Sequence, residues 1–261
     1  MSWPRDVSKS MVAFALAMAG VLVLAGMTWI PPLLGKDSGV HVTRPGLLTV
    51  DEIATGEVDF PDGASITLSQ QGFRLADAAG VLLDTVIQGS PVTAFTGTVT
   101  GSGGKRREDL TTVASNVRIE HRLSDDELAR FTGYVYDDTE RVKHALTIDI
   151  AEKDGRFRFI VVVKGVDAVV VHLRFDHDTV GYAPSVPDRN LADRAWWVKN
   201  VWPASTPIFT TVRGVSVALG PATVDRALDL REPGRTDVHL WSDRVELGLT
   251  RLRPPVADSE P

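Results

Sequence analysis

Short apolar segments in which hydrophobic and polar residues alternate restrict the fold of this chain more than any other feature. In RVKHALTIDI, residues 141–150, the apolar side chains recur on one face: Val142, Leu146, Ile148 and Ile150. A period of two predicts a strand with one buried side. The segment EKDG then turns the chain, and RFRFIVVVK, residues 156–164, runs back as a strand too apolar for an exposed edge.

Similar segments recur along the chain at intervals of roughly 8 to 12 residues, separated by glycine and aspartate turns. Gly72–Leu75 and Val81–Asp84 flank the turn DAAG and predict a hairpin. Further strands are expected at 92–100, 113–122, 168–175, 208–212, 215–219 and 245–252. This pattern predicts an all-β protein, a large antiparallel two-sheet β-sandwich of supersandwich type, over residues 46–253.

Two segments carry helix signals instead. SDDELARF, residues 124–131, begins with a capping-box pattern, and PATVDRALDL, residues 221–230, places a proline at its first position. The sequence therefore predicts a few short helices beside the sandwich.

A run without charge, MVAFALAMAGVLVLAGMTWI, occupies residues 11–30. Twenty residues of helix span about 30 Å, the thickness of a hydrocarbon core. Trp29 suits the interface and Pro31-Pro32 end the helix. We expect a transmembrane anchor at 11–32, preceded by a cytoplasmic N-terminus (1–10) and followed by a tether (33–45), with a flexible tail at 254–261.

The charges around this run predict its orientation. Arg5 and Lys9 precede it, whereas Lys36 beside Asp37 follows it, so the N-terminus is expected in the cytoplasm and the sandwich outside. The predicted localisation is the cell membrane, single-pass. A cleaved signal peptide would have a shorter apolar run and a small-residue cleavage site, and a buried core helix would have a polar face.

Composition excludes several classes of protein. The net charge of −6 and pI near 5.5 argue against nucleic-acid binding, and the cationic run 105–107 after Gly101–Gly104 is typical of a hairpin tip. The chain has no cysteine. It therefore has neither a disulfide nor the thiol that lipidates a bacterial lipoprotein, and a hydrophobic core must stabilise it.

The densest polar segment is HLRFDHD, residues 172–178. On a continuing strand His172, Asp176 and Asp178 share one face and could act as acid and base or hold a metal. The alternative, which we prefer, is a solvated strand end. The remaining histidines have no metal spacing and no nucleotide-binding or hydrolase motif is present, so we predict neither metal nor cofactor.

Three of the six tryptophans lie in the stretch ADRAWWVKNVWPASTPIFTTVRG, residues 192–214: Trp196, Trp197 and Trp202. Indoles can stack on sugar rings or simply fill a core. Because Trp196 and Trp197 are adjacent, an extended chain directs them to opposite sides. The candidate ligand-binding residues are these three and Arg213.

Three segments together resemble the N-terminal β-sandwich of family 31 glycoside hydrolases: GFRLADAAGVLLDT (72–85), DGRFRFIVVV, and WWVKNVWPASTPIFTTVRGVSVAL (196–219). The resemblance covers roughly residues 63–220. Val215-Ser216 stands where the family has Tyr-Gly. The resemblance implies a galactose mutarotase-like supersandwich. In that family the catalytic aspartates lie in a following barrel, but only about fifty residues follow Gly214, far short of the ~250 that a barrel needs.

Two functions remain from the sequence. The first is a non-catalytic accessory protein that binds a cell-envelope glycan, a glycolipid or a membrane-protein partner. The second is a small mutarotase- or glycosidase-like enzyme that uses His172 with Asp176 or Asp178. We favour the first, and with it the expectation that the chain is not an enzyme, because the segment that carries the family's catalytic residues is missing.

Overall fold

The computed structural model describes residues 43–85, 89–100, 107–174, 180–183, 186–190, 195–198, 207–210, 214–220, 226–232 and 234–251. The chain divides into two units at Ser38–Gly39, and all described residues belong to the second. The predicted cytoplasmic segment, transmembrane anchor and tail lie outside these ranges. Within them, no helix has the length and apolarity needed to span a membrane.

The described part of the chain forms strands joined by turns. Their bounds are β1 Leu48–Val50, β2 Gly56–Asp59, β3 Ser65–Ser69, β4 Gly72–Asp77, β5 Gly80–Thr85, β6 Val92–Thr100, β7 Arg107–Ala114, β8 Asn116–Ser124, β9 Leu128–Tyr136, β10 Lys143–Lys153, β11 Arg156–Val163, β12 Ala168–Arg174, β13 Val180–Ala183, β14 Val186–Asn190, β15 Ala195–Val198, β16 Pro207–Thr210, β17 Val215–Gly220, β18 Arg226–Asp229, β19 Thr236–Leu240 and β20 Arg244–Arg251.

These strands form two sheets. Sheet A has the order β1-β8-β9-β10-β11-β20-β17-β16-β13-β14, and sheet B has the order β15-β18-β19-β12-β5-β4-β3-β2, with β6 paired to β12 and β7 paired to β6. Apart from the parallel pair β1–β8, the pairings given for the described strands are antiparallel. The predicted two-sheet all-β architecture is confirmed.

The core lies between the two sheets and follows the predicted alternation. On β10, Leu146, Ile148 and Ile150 are buried, whereas Val142 precedes the strand and is exposed. Phe73 of sheet B meets Phe131 of sheet A edge to face, with ring centroids 5.0 Å apart, and Phe159 at 6.1 Å. These aromatic contacts join the sheets at the centre of the sandwich.

Both predicted helices are wrong where the structure describes them. Residues 128–131 belong to β9 and residues 226–229 to β18. The Asp125 carboxylate accepts the N–H groups of Glu127 and Leu128, which is how an N-cap acts, but here it closes the turn between β8 and β9. Beyond the turn, burial alternates with period two, so the segment forms a strand although it begins with a local capping signal.

Sheet B is buried on both faces at its centre. Val169, Val171 and Leu173 of β12 face the core between the sheets, while Ala168, Val170 and His172 lie on the opposite, outer face and are equally buried. Every residue of β19 is buried as well. The outer face of sheet B therefore holds polar side chains away from water.

Candidate functional site

A group of polar side chains lies buried on the outer face of sheet B, and we call it the His–Asp cluster. It is contributed by β6, β12, β18, β19, the β18–β19 turn and the segment before β1. Its buried members are Thr43, Thr93, His172, Asp229, Asp237 and His239, and two partly buried arginines, Arg231 and Arg235, complete it. Asp237 and His172 are direct cross-strand neighbours, so the pairing of β12 with β19 brings acid and imidazole together.

Asp237 is the centre of this cluster. Its Oδ1 accepts from His172 Nδ1 at 2.8 Å and lies 2.9 Å from Arg235 Nε, and its Oδ2 accepts from Thr43 Oγ1 at 2.7 Å and Arg235 Nη2 at 3.0 Å. Burial opposes ionisation of this carboxyl, but His172, His239 and Arg235 outweigh burial and hold the pKa of Asp237 below its usual range. The carboxylate is therefore charged and fully paired.

His172 uses both ring nitrogens inside the protein. Because an ionised carboxylate only accepts, Nδ1 carries the proton given to Asp237, and Nε2 lies 2.8 Å from Thr93 Oγ1. The Thr93 hydroxyl, the His172 imidazole and the Asp237 carboxylate are therefore bonded in the order found in a catalytic relay of the hydroxyl–histidine–aspartate type. However, His172 is 0% exposed and Thr93 1%, so this relay cannot meet a substrate from solvent.

The β18–β19 hairpin supplies two further ion pairs with mirrored spacing. Asp229 and Asp237 face each other across the pair of strands, where two carboxylates would repel. Arg231, two residues after Asp229, binds it through Nε at 2.8 Å and Nη2 at 2.5 Å. Arg235, two residues before Asp237, binds that carboxylate in the same two-pronged way.

His239 is the member of the cluster whose hydrogen bonding is incomplete. It is 2% exposed and stacks with Trp241 at a centroid distance of 6.2 Å, and its Nε2 has no hydrogen-bond partner among the described residues. Burial lowers the pKa of His239 to about 4, against the attraction of Asp237 and Asp229. The ring is therefore neutral at pH 7 and presents an unused polar atom.

This burial predicts loss of stability in mild acid. The unfolded chain takes up a proton at His239 near pH 6.5 and the folded protein only near pH 4, so stability falls as the pH falls through that window. The difference between these two pKa values corresponds to about 3 kcal/mol in the free energy of unfolding. Urea unfolding of the full chain at several pH values between 7 and 4 measures it.

Two variants test whether His239 causes the pH dependence of stability. His239→Phe removes the titrating group, and we expect its unfolding free energy to vary less with pH in this window. His121→Gln, at an exposed histidine on β8, is expected to leave the pH dependence unchanged. If His239→Phe and the unaltered protein lose stability in parallel, His239 is not the group responsible.

The chain before β1 closes over the cluster. Thr43 donates its hydroxyl to Asp237, and its carbonyl accepts from Arg235 Nη2 at 2.9 Å. Three residues later the Gly46 carbonyl accepts from Ser90 N, and the backbone N–H of Leu47 donates to Asn116 Oδ1. The start of the described chain is thus tied first to sheet B and then to sheet A.

The strand β15 brings part of the tryptophan stretch to the same sheet. Trp197 pairs with Ala227, which pairs with His239; Trp196 pairs with Leu228, which pairs with Val238. Leu228 and Val238 belong to the core between the sheets, whereas His239 belongs to the cluster. The register therefore aligns Trp196 with Leu228 and Val238, and Trp197 with Ala227 and His239.

The other predicted site residues divide into two groups. His172 lies inside the cluster and is paired with Asp237 and Thr93. Asp176, Asp178, Trp202 and Arg213 lie outside the described residues. In the described ranges, no group of three or more histidine and acidic side chains is arranged to hold a metal ion.

Sequence reasoning missed Asp229, Arg231, Arg235, Asp237 and His239. The signal that could have found them is the segment DLREPGRTD, residues 229–237. It places Asp-x-Arg and Arg-x-Asp symmetrically around Pro-Gly, a turn dipeptide, and each spacing of two puts acid and base on one face of a strand. The helix predicted over 221–230 hid this symmetry.

Comparison with known proteins supports the fold. No protein-family model matches the sequence, and no curated protein matches it. Among solved structures, a family 31 glycoside hydrolase, the sulfoquinovosidase from E. rectale in complex with the aza-sugar inhibitor IFGSQ, matches 72% of this chain and 32% of its own, with 9% identity and a TM-score of 0.50. The chain thus spans about a third of that enzyme.

Two other matches are weaker. The α-N-acetylgalactosaminidase NagBb from Bifidobacterium bifidum matches 75% of this chain and 35% of its own at 13% identity and a TM-score of 0.44. HI1317 matches 74% of this chain and 90% of its own, at 7% identity and a TM-score of 0.36. With TM-scores below 0.5 these two add nothing to the assignment. The protein is a two-sheet β-sandwich of a kind that occurs in a carbohydrate-active enzyme, and the match extends to the fold alone.

Proposed function

We propose that this protein is a membrane-anchored, extracytoplasmic accessory protein whose β-sandwich binds a cell-envelope carbohydrate without converting it. The observation that supports the proposal is the register of β15, in which Trp197 pairs with Ala227, and Ala227 pairs in turn with His239 of the cluster. An indole beside polar groups is the combination that recognises a sugar ring, through stacking and hydroxyl contacts. The fold is shared with part of a carbohydrate-active enzyme, which is consistent with a sugar as the ligand.

The state of His172 favours binding over catalysis. A general acid or base must exchange a proton with the substrate or with a group that touches the substrate, so one of these groups has to be accessible. Here both nitrogens are committed to Asp237 and Thr93, and the side chain is fully buried. We therefore prefer the accessory function to the enzyme that would use His172 with Asp176 or Asp178.

The anchor belongs to the proposal as well. Its support is the uncharged run 11–30 and the cationic residues before it. The predicted tether 33–45 connects this run to the sandwich. The ligands proposed are envelope polysaccharides and the sugar headgroups of glycolipids, and a membrane protein is the alternative partner.

The two adjacent tryptophans provide a matched test. We expect Trp197→Ala to weaken binding to a glycan array about tenfold, because Trp197 is aligned through Ala227 with His239 of the cluster. Trp196→Ala, in the row of the buried Leu228, is expected to lower the unfolding free energy instead. Binding is measured with the full chain in detergent, and stability by urea unfolding.

Two results would contradict the proposal. One is glycan binding that Trp197→Ala leaves unchanged, or no binding by the unaltered protein. The other is turnover of a sugar that Asp176→Asn or Asp178→Asn abolishes, which would establish the enzyme in place of the accessory protein.

A further inference from the structure

The segment 43–46, which we call the strap, is held at both of its ends. Its first residue, Thr43, is 4% exposed and bonded to Asp237 and Arg235, although 194 positions separate it from Asp237. Its last residue, Gly46, fits so closely that an added Cβ would lie 2.4 Å from the Ser115 carbonyl oxygen.

The contacts of Thr43 have a particular chemistry. Its hydroxyl donates a hydrogen bond to a carboxylate oxygen of Asp237. Its carbonyl oxygen accepts a hydrogen bond from Arg235, whose guanidinium is paired with that carboxylate. A carboxylate and a guanidinium that share a bidentate pair can take one O–H donor and one oxygen acceptor side by side. Two neighbouring hydroxyls of a sugar supply that same pair.

A second observation points to a ligand. His239, which interacts electrostatically with Asp237, has a buried Nε2 without a hydrogen-bond partner. An unsatisfied buried nitrogen is costly, and the groups present in the described residues leave it unused. The cluster therefore offers more hydrogen-bonding capacity than the strap takes up.

We propose that the strap is an internal cover for a carbohydrate-binding site, in which Thr43 occupies on Asp237 and Arg235 the positions of a ligand's neighbouring hydroxyls. When Thr43 is displaced, the carboxylate and guanidinium bind two hydroxyls and His239 Nε2 takes a third. The Asp237–His172 pair stays formed and holds the carboxylate in place.

This inference shares the ligand class of the proposed function but depends on different residues. The proposed function concerns binding by the unaltered protein through Trp197. The strap concerns a site that the unaltered protein covers, so each can fail without the other.

The experiment compares threonine variants of the full chain in detergent, with the methyl glycosides of glucose, galactose and N-acetylglucosamine as probes. Thr43→Gly removes both hydroxyl and bulk, and Thr43→Ser keeps the hydroxyl. Thr139→Gly is the matched control, since Thr139 also donates to an aspartate, Asp137, but in an exposed turn. We expect Thr43→Gly to bind at least one glycoside about tenfold more tightly than Thr43→Ser, the unaltered protein or Thr139→Gly.

Nitrogen NMR of the histidine side chains locates the bound sugar. We expect the glycoside to shift the ring signals of His239 and His172 in Thr43→Gly and to leave the exposed His121 unmoved. Equal affinity in Thr43→Gly and Thr43→Ser overturns the proposal, as does tighter binding without a shift at His239. If Thr43→Gly does not fold, Thr43→Ala replaces it; failure of both to fold also overturns the proposal, because a displaceable cover cannot be essential to the fold.

Discussion

Asp237→Ala is expected to lower the free energy of unfolding by about 3–5 kcal/mol. The substitution leaves the Nδ1 proton of the fully buried His172 without its acceptor. It also removes one of the two carboxylates paired with Arg235, whose side chain is 13% exposed; the other, that of Glu232, stays. Breaking a buried pair by removing one partner costs more than the lost attraction itself, because the remaining polar groups stay buried. Urea unfolding at pH 7 measures the change.

A surface aspartate with equally good geometry is the control. Asp149 accepts from Arg130 Nε and Nη2, both at 2.7 Å, but on an arginine that is 45% exposed. Water replaces that pair when it is broken, so Asp149→Ala should cost below about 1 kcal/mol. Similar losses at the two positions would mean that burial does not govern the energetics of the His–Asp cluster.

Phe73→Ala is the second substitution expected to have a large effect, with a loss of about 3–5 kcal/mol. Phe73 is 1% exposed and meets aromatic rings on two strands of the opposite sheet. Truncation leaves a cavity between the sheets that neither sheet can fill, because each strand is held by neighbours on both sides.

Two further variants show whether the cavity is responsible. Phe73→Leu keeps most of the volume and should lose less than half as much stability as Phe73→Ala. Leu47→Ala removes an apolar side chain that is 71% exposed and should have little effect. Chemical denaturation of the three variants together separates these cases; an equal loss in Phe73→Leu and Phe73→Ala would contradict the explanation.

The fold was largely predictable because burial in this sandwich follows a period of two. On β10 and β11 each buried residue is followed by a more exposed one, and the turn at 152–155 falls where glycine and acid predict it. The helix predicted at 124–131 failed for a local reason. An aspartate that caps a helix and one that closes a hairpin offer the same acceptor to the same backbone groups, and the residues after Asp125 decide between the two structures.

The cluster was less predictable because its members come together only through the pairing of distant strands. His172 was selected for its nearness in sequence to Asp176 and Asp178, but its partner in the fold is Asp237, 65 positions away. Thr43 and Thr93 carry no signal of their own. The mirrored segment 229–237 was the one part of the cluster that could have been recognised, since both of its ion pairs join residues two apart.

The bond between Thr43 and Asp237 has a consequence for how the polypeptide matures. Nearly the whole of it must leave the ribosome before those two residues can meet, and contacts between such remote positions form slowly. If the N-terminus is already inserted in a bilayer, the N-terminal end of the chain is immobilised while the C-terminal end is still being synthesised. A product that stops before β19 would expose the apolar central strands, which makes it a target for quality-control proteases.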